Sequence, residues 1–279
     1  MRSFCVCKLF IFFIFLLSCN PIVSEEDSIE LFEEQKKWFE VLCSENLGGR
    51  YSGSGGIKEA ANFISQIIDS DTLERVSFEG RGVTMENLIL RIQGHSDSAI
   101  VIGAHYDAFG FINKTPLPGA DDNISGVVVL LNMIKEIKSQ GYTPSYSLVF
   151  CFFDGEEIGR YGSNHFVKSN SRPIKLYINV DTCGSENDYD LTVSYNSQYP
   201  FLRESFSLLP NRIGAVPIME YEPLVYTTDC EPFAKANIPF IAIGPSKVPY
   251  YLHSINDDVT HISFSRLDTI SKELVTLFF

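Results

Sequence analysis

The sequence predicts an α/β protein, a three-layer α/β/α sandwich built around a central mixed, mostly parallel sheet. Strand-like and helix-like segments alternate along most of the chain, as they do in βαβ units. Several strand-like segments are almost continuously apolar, which is typical of strands covered by helices on both faces. With 279 residues, of which 45% are apolar and 20% charged, the chain is long enough to bury one large core.

The first residues are predicted to be a targeting segment outside this sandwich. Arg2 and Lys8 flank the start, an apolar run covers residues 9–17, and Ser18-Cys19 follows. This order is typical of a secretory signal, and the run is too short to span a bilayer comfortably. The ending "LLSC" resembles a bacterial lipobox, which predicts a lipoprotein-type signal peptide in residues 1–18 and lipidation of Cys19. An ordinary signal peptide or a short membrane anchor is the alternative.

Residues 19–28 are then a tether and residues 29–279 the folded domain of an exported protein. The expected location is the bacterial cell envelope, on the periplasmic or surface side, with the lipid as membrane anchor. Removing residues 1–18 leaves 20 basic and 35 acidic residues, a net charge of −15. Such a charge argues against nucleic acid as a partner. Four cysteines remain after Cys19, too few for a disulfide scaffold in a domain of this size.

The predicted elements begin with the amphipathic helix "DSIELFEEQKKWFEVLCSE", capped by Asp27 or Ser28. The glycine-rich loop "NLGGRYSGSGG" opens a second helix, but it lacks the preceding strand and the Lys-Ser/Thr ending of a phosphate-binding loop. The predicted strands are "ENLILRIQG", "SAIVIGAHYD", "YSLVFCFFD", "KLYINVD", "DLTVSYN" and "IPFIAIG". The later helices are "SGVVVLLNMIKEIKSQG", "GSNHFVKSN", "EPFAKAN" and "SFSRLDTISKELVTLF".

Polar side chains collect where these strands end, which is where ligands bind in open α/β sheets. They are His105 and Asp107; Asp154, Glu156 and Glu157; Asp181; and, on two loops, Asp121, Asp122, Asn123, His253 and Asp257. Each cluster alone is weak evidence, because Asp and Asn are common helix caps and turn residues. Together, so many carboxylates at one rim would repel one another unless a cation were bound among them.

The ligand types favour zinc at an open catalytic site, because imidazole and carboxylate groups occur without a cysteine cluster. A carboxylate can also bridge two ions a few ångströms apart. Asp107 and Asp257 can accept the second ring N–H of a ligand histidine or otherwise orient the site. The adjacent Glu156 and Glu157 diverge at a strand-to-helix turn, so one can bind metal while the other serves as a base.

These stretches resemble the co-catalytic dizinc aminopeptidases of peptidase family M28 (clan MH), which have the zinc exopeptidase fold. The resemblance covers about residues 45–265, in family order, through "GRYSGSGGIKEAANFI", "IGAHYDA", "PGADDNISG", "FFDGEEIGRYGS", "INVD", "TTDCEPFAKANIPFIAIG" and "LHSINDDVTHIS". It implies two Zn²⁺ ions, a peptide substrate, and residues 29–279 as the catalytic domain. One zinc would be held by His105 and Asp181, the other by Glu157 and His253, with Asp122 as the bridge.

In the implied mechanism, Glu156 is the general base for a metal-activated water and then protonates the leaving amine, and Asp107 assists as an orienting residue. Many relatives have Tyr before the last ligand histidine, where this chain has Leu252. Tyr251 or Tyr226 is therefore the candidate for stabilising the oxyanion, beside Asp257 as a supporting residue. Cys230 replaces a frequent His, and a disulfide between Cys183 and Cys230 is one hypothesis, with two free thiols as the other.

Three alternatives to an aminopeptidase remain at this point. A glutaminyl-peptide cyclase shares the fold but uses a single zinc, whereas the complete ligand set favours two. A carboxypeptidase of this fold usually carries extra domains, and a surface lipoprotein that has kept the fold only for binding usually loses metal ligands.

The remaining histidines, His95, His165 and His261, are expected outside the metal site. The sequons at Asn113 and Asn123 are discounted as glycosylation sites, since Asn123 adjoins a ligand and the lipobox is bacterial.

Overall fold

The computed structural model describes residues 25–141, 143–221 and 228–279. Cys19 and Tyr226, like the predicted signal peptide, lie outside the described residues. Among the helices that are described, none combines the length and the apolar character needed to cross a bilayer.

A single eight-stranded sheet organises the described chain. Its strands are β1 (Leu73–Gly80), β2 (Val83–Ile92), β3 (Ser96–His105), β6 (Tyr146–Phe153), β7 (Ile174–Val180), β8 (Leu191–Asn196), β9 (Val216–Tyr221) and β10 (Phe240–Pro245); β4 (Phe111–Ile112) and β5 (Thr115–Pro116) form a separate small hairpin. The order across the sheet is β1-β2-β6-β3-β7-β10-β8-β9. The four central strands β6, β3, β7 and β10 run parallel, while β1, β2 and β8 join by antiparallel pairing. The predicted mixed, mostly parallel sheet is thereby confirmed.

Helices cover both faces of this sheet. They are α1 (Glu25–Leu42), α2 (Gly55–Ile68), α3 (Ser125–Gln140), α4 (Tyr161–Ser169), α5 (Phe201–Ser205), α6 (Leu209–Arg212), α7 (Cys230–Lys235) and α8 (Phe264–Val275). Successive strand residues point to opposite faces, and β6 illustrates the result. Phe150 and Phe152 belong to the core that includes α1, α2, α3 and α8, whereas Cys151 and Phe153 belong to the core with α4 and α7. Burial on both faces explains the continuous apolar runs of the central strands.

The structure differs from the prediction at the sheet edges and at the start of α1. The strands β1 and β9 were not predicted; β1 alternates charged residues with partly buried ones, which weakens its strand signal. Ion pairs of Arg75 with Glu86 and of Arg91 with Glu74 link it to β2. Helix α1 begins at Glu25, so the end of the predicted tether is helical and the caps proposed at Asp27 and Ser28 are wrong.

The glycine-rich loop before α2 serves close packing between loops. Gly49 has φ +65°, and a Cβ at this position would lie 1.9 Å from the carbonyl oxygen of Gly110. The next residue, Arg50, is 1% exposed, and its guanidinium donates to four backbone carbonyl groups. These are the carbonyls of Leu42, Tyr106, Pro118 and Gly119, at 2.6–3.0 Å. Through Arg50 the loop is therefore connected to the end of α1, to the residue just after β3 and to the segment just before Asp121.

Candidate metal centre

Two groups of potential ligands meet at the carboxyl ends of the parallel strands and share one residue. The first group is His105, Asp122 and Asp181, and the second is Asp122, Glu157 and His253; within each group the ligand atoms lie within 4.8 Å of one another. The Nε2 atom of His105 is 3.2 Å from Oδ1 of Asp122 and 3.5 Å from Oδ1 of Asp181. The Nε2 atom of His253 is 3.2 Å from Oδ2 of Asp122 and 3.3 Å from Oε2 of Glu157. Asp122 thus presents a different carboxylate oxygen to each group.

These spacings match the requirements of zinc. Nitrogen and oxygen ligands about 2.0–2.2 Å from a tetrahedral ion are separated by about 3.3–3.6 Å from one another. The buried Oε1 atom of Glu157 also lacks a hydrogen-bond partner in the described part of the chain. An orphaned carboxylate oxygen in this position is expected where a cation is to bind. The residues present therefore fit a metal ion in each group.

The turn that carries Asp122 is held from two sides. The carboxylate of Asp257 accepts the backbone N–H groups of Asp121 and Asp122, at 2.7 and 3.2 Å. Asn123 donates to the carbonyl of Val180 and accepts the N–H of Thr182, the two neighbours of Asp181. The loop of Asp122 is thereby tied to the end of β7. Of the two roles considered for Asp257, its contacts are with the backbone beside Asp122 and not with a histidine ring.

Asp121 is a buried carboxylate that links the turn before α3 to two other segments. Its Oδ1 atom accepts the N–H of Gly184 at 2.7 Å, and its Oδ2 atom accepts the hydroxyls of Tyr189 and Tyr251 at 2.8 and 2.7 Å. Tyr251 is fully buried, and its hydroxyl is occupied by Asp121. The structure therefore assigns Tyr251 a supporting position and removes it as an oxyanion candidate.

Asp107 connects the two neighbouring strand ends β3 and β6. Its carboxylate accepts the backbone N–H groups of Glu156 and Glu157 at 3.1 and 3.2 Å, and it lies 3.4 Å from Nδ1 of His105. Ser52 donates to Asp107 at 3.3 Å and to Asp154 at 2.7 Å. Asp107 thus contacts His105 and holds the backbone of Glu156 and Glu157, and its role in orienting them stays a prediction. Ser52 was missed, because only the fold brings the glycine-rich loop to this strand end.

The electrostatics of the site favour a bound cation. Burial disfavours the charged imidazole of His105, yet the surrounding carboxylates, Asp181 above all, raise its pKa well above the usual value. Hydrogen bonds to Asp122 and Glu157 raise the pKa of His253 to about 10. Burial, together with the nearby Asp122, raises the pKa of Glu157 to about 7. The histidines therefore hold protons that a bound cation would displace.

Glu156 belongs to neither group but lines the same cavity. Burial raises the pKa of its carboxyl well above the ordinary value, and the nearby Asp229, Asp181 and Glu157 add to this effect. A carboxyl in this cavity beside a potential metal pair is placed to exchange a proton with a molecule bound there.

A cavity of about 650 Å³ opens over both ligand groups and continues across β7, β10 and β8. The ring of Phe109 forms part of its wall and stacks on His253, with ring centroids 4.7 Å apart. Phe109 is 45% exposed, so an aromatic surface borders the metal-ligand groups at the entrance. The cavity is large enough to hold the end of a peptide.

The remaining residues singled out in the sequence lie away from the ligand groups. Cys183 and Cys230 are free thiols that pack into the cores on opposite faces of the sheet, which rules out the hypothesised disulfide. His165 stacks on Phe78, and His261 contacts Asp188 and Tyr251.

The sequence matches the family model described as Peptidase family M28 over residues 87–278. A probable leucine aminopeptidase of Arthroderma otae is 28% identical over 198 residues, covering 65% of this chain and 53% of that protein. A probable leucine aminopeptidase of Trichophyton verrucosum is 27% identical over 247 residues, covering 81% of this chain and 65% of that protein. The chain thus spans between about half and two thirds of the length of these relatives.

Solved structures share the fold at low sequence identity. A leucine aminopeptidase precursor from Bacteroides thetaiotaomicron has a TM-score of 0.71 at 18% identity, covering 92% of this chain and 98% of that one. A glutaminyl cyclase from Fimbriiglobus ruber has a TM-score of 0.73 at 18% identity, covering 88% of this chain and 94% of that one. The architecture is thus common to proteins named for two different reactions.

Proposed function

The chain belongs to peptidase family M28, and from that premise we propose that it is a zinc-dependent aminopeptidase that removes N-terminal residues from peptides. The observation that carries the proposal is the carboxylate of Asp122, whose two oxygens face two separate ligand groups. Relatives named as probable leucine aminopeptidases support the reaction class. The proposal assigns two zinc ions to the site, one in each group.

In this proposal the five ligand side chains hold the ions, and zinc supplies Lewis acidity toward water and toward the scissile carbonyl. Glu156 takes the proton of the attacking water and then delivers it to the nitrogen of the leaving peptide. The position of Glu156 in the cavity beside both ligand groups supports both steps, because the same carboxyl must reach the water and then the leaving nitrogen. Asp107 keeps Glu156 and Glu157 in place through their backbone N–H groups.

A glutaminyl-peptide cyclase with a single zinc is the second candidate, since a cyclase is among the structures that share the fold. The two reactions differ in their mass balance. Hydrolysis adds water and releases the N-terminal amino acid, whereas cyclisation releases ammonia and leaves the peptide chain whole. The complete second ligand group around His253 supports hydrolysis with two ions.

The test combines metal content with product analysis on the purified mature protein. We expect two zinc ions per chain, hydrolysis of amino-acid p-nitroanilides and release of a free amino acid from a glutaminyl peptide. Fewer than two zinc ions together with loss of ammonia would replace the aminopeptidase by the cyclase. Absence of both metal and turnover would favour a non-catalytic surface lipoprotein.

We also propose that the protein is exported and anchored in the cell envelope through a lipid on Cys19, on the basis of the "LLSC" sequence. The expected result is a detergent-extracted protein whose N-terminal peptide carries an acylated cysteine by mass spectrometry. Cys19→Ser should release the protein from the membrane fraction. A wild-type chain found unacylated would refute the anchor and leave the aminopeptidase proposal intact.

A further inference from the structure

A row of three residues crosses the sheet beyond the metal-ligand groups. Ala242 of β10 is the register partner of Asn179 on β7 and of Ser194 on β8. All three line the large cavity. Because neighbouring strands lie about 4.8 Å apart, the two polar side chains stand on either side of the small Ala242 side chain, which leaves room between them.

The row lies on the same face of the sheet as the metal-ligand groups, near the carboxyl end of β7. Side chains two residues apart in a strand share a face, so Asn179 faces the same way as the ligand Asp181. Two residues of strand correspond to about 7 Å. A substrate whose scissile carbonyl lies at the metal ligands would therefore place the far end of its N-terminal side chain at this row.

The strand β8 contributes polar residues on this face although it is completely buried. Its sequence "LTVSYN" alternates as in a strand with one side in water, yet all six residues are buried. Leu191 and Val193 pack into the core on one face, while Thr192 and Ser194 line the cavity on the other. Buried polar side chains of this kind are retained where they have a hydrogen-bonding partner.

The hydrogen bonds within the row leave specific groups unused. The hydroxyl of Tyr177 donates to Oδ1 of Asn179 at 2.6 Å, which fixes the amide and turns its N–H groups toward other acceptors. Within the described residues neither these N–H groups nor the Ser194 hydroxyl makes a hydrogen bond, although Asn179 is 2% and Ser194 5% exposed. Thr192, by contrast, already donates to the carbonyl of Gly244 at 3.0 Å. Two unpartnered polar groups are thus available to a ligand.

We propose that this row selects a substrate whose N-terminal residue has an uncharged amide side chain, asparagine or glutamine. The inference rests on the proposed aminopeptidase function. Asn179 donates to the side-chain carbonyl oxygen, and Ser194 accepts from the side-chain NH₂ group. A leucine of the same shape as asparagine leaves both protein groups desolvated and unpaired, which is the arrangement that discriminates most strongly between similar substrates.

Charged side chains fit this row less well. A lysine cannot accept the N–H of Asn179. A carboxylate could accept from Asn179 and Ser194, but it would bring an unpaired negative charge to a buried position on the same face as the carboxylate of Asp181. Asparagine and leucine have nearly equal shape, so the pair isolates hydrogen bonding from size. For this reason asparagine and leucine p-nitroanilides are the substrates of the test.

The zinc-loaded protein should hydrolyse the asparagine substrate with a kcat/KM at least about tenfold above that for leucine. Asn179→Leu should reverse this ratio, and Ser194→Ala should reduce it. Thr192→Val, whose hydroxyl is already paired, should leave the ratio unchanged. The ratio of the two kcat/KM values does not depend on the fraction of enzyme that is folded. A partly unfolded variant therefore still reports on the selectivity of the row.

Binding without turnover separates this inference from the proposed function. On the zinc-loaded Glu156→Gln variant, calorimetry should find tighter binding of asparaginamide than of leucinamide, and Asn179→Leu in that background should remove the difference. Hydrolysis with leucine equal to or above asparagine, or with aspartate or lysine above asparagine, would overturn the amide-selective row and leave the aminopeptidase intact. No hydrolysis of any substrate would overturn the aminopeptidase, and equal binding of the two amides would then overturn the row as well.

Discussion

At the scale of single residues, Glu156 and Glu157 are neighbours with different surroundings. Both backbone N–H groups are held by Asp107, so the main chain is fixed while the two side chains diverge. Oε2 of Glu157 lies 3.3 Å from Nε2 of His253, inside a ligand group. Glu156 stays outside both groups and faces the cavity. Two adjacent carboxylates can therefore perform different tasks.

Glu156→Gln should retain the metal content of the wild type and lower kcat by at least about 100-fold, because an amide cannot take a proton from water. The measurements are zinc per chain by atomic emission and kcat on a p-nitroanilide. Asp122→Ala is the matched variant, since it removes the shared ligand and should lose metal as well as turnover. Retained turnover in Glu156→Gln, or full metal in Asp122→Ala, would contradict the assigned roles.

Asp229 is a buried carboxylate whose titration should destabilise the metal-free protein at high pH. Its side chain accepts a hydrogen bond from Ser163, but its Oδ2 atom has no partner in the described chain. Burial raises its pKa from 3.8 to about 7. The folded protein therefore holds a proton that the unfolded chain releases, and stability falls as the pH rises from about 4 to about 7.

Asp229→Asn keeps an acceptor for Ser163 and removes this titration. Its gain in free energy of unfolding over the wild type should be larger at pH 8 than at pH 4, by on the order of 4 kcal/mol. Urea unfolding of the metal-free proteins at several pH values measures it. Asp188→Asn is the control, because hydrogen bonds from Ser185 and His261 lower the pKa of Asp188. This substitution should reduce the free energy of unfolding relative to the wild type, and by more at pH 8 than at pH 4. A difference that does not depend on pH would refute the buried charge at Asp229.

At the scale of elements, the site depends on loops that are fastened to one another. Asp121 joins the turn before α3 to the segments of Gly184 and Tyr251. Arg50 joins the glycine-rich loop to the residues just after β3 and just before the turn of Asp122. The candidate ligands come from five separate segments, and such a set needs these connections, because metal ligands must be held within a few tenths of an ångström.

Arg50→Met should be strongly destabilising, because it leaves the carbonyls that the guanidinium pairs without donors. Each unpaired buried carbonyl costs about 1–3 kcal/mol, so we expect a loss of at least about 3 kcal/mol in urea unfolding, together with weaker zinc binding. Arg75→Met is the control, since Arg75 makes a partly exposed ion pair with Glu86 and should change stability by less than about 1 kcal/mol. Equal effects of the two substitutions would refute the role given to Arg50.

At the scale of the whole molecule, metal binding and folding should be linked. The ligands come from the ends of β3, β6 and β7 and from loops around residues 122 and 253, so an unfolded chain has no preformed site. Zinc should therefore raise the unfolding temperature in a concentration-dependent way, and a free concentration of 100 Kd corresponds to about 2.7 kcal/mol. Calorimetric scans before and after chelation test this.

Asp122→Ala is again the informative control, because its unfolding temperature should respond little to zinc. A wild-type protein whose unfolding temperature is unaffected by chelation and by added zinc would contradict a metal centre at these residues. Such a result would also remove the ions from the proposed mechanism, whereas the fold would be unaffected.

Much of the molecule could be predicted from the sequence, because the signals involved are local. The apolar runs of the central strands follow from burial on both faces, and the polar residues after them necessarily lie at one edge of a parallel sheet. His105, Glu157 and Asp181 were therefore identifiable among the rim residues, and the resemblance to family M28 singled them out as ligands together with the loop residues Asp122 and His253. The edge strands β1 and β9 were not, since partly exposed strands lack a continuous apolar run.

Tertiary structure alone decided how each of these residues is supported and what lies beside them. The sequence places Tyr251 two residues before His253, yet only the fold directs its hydroxyl to Asp121 and away from an oxyanion. Cys183 follows β7 and Cys230 begins α7, yet the two thiols pack on opposite faces of the sheet. The row of Asn179, Ala242 and Ser194 likewise exists only through strand register. The sequence by itself determined the chemistry available at the rim, whereas contacts between distant segments decided its geometry and the shape of the pocket.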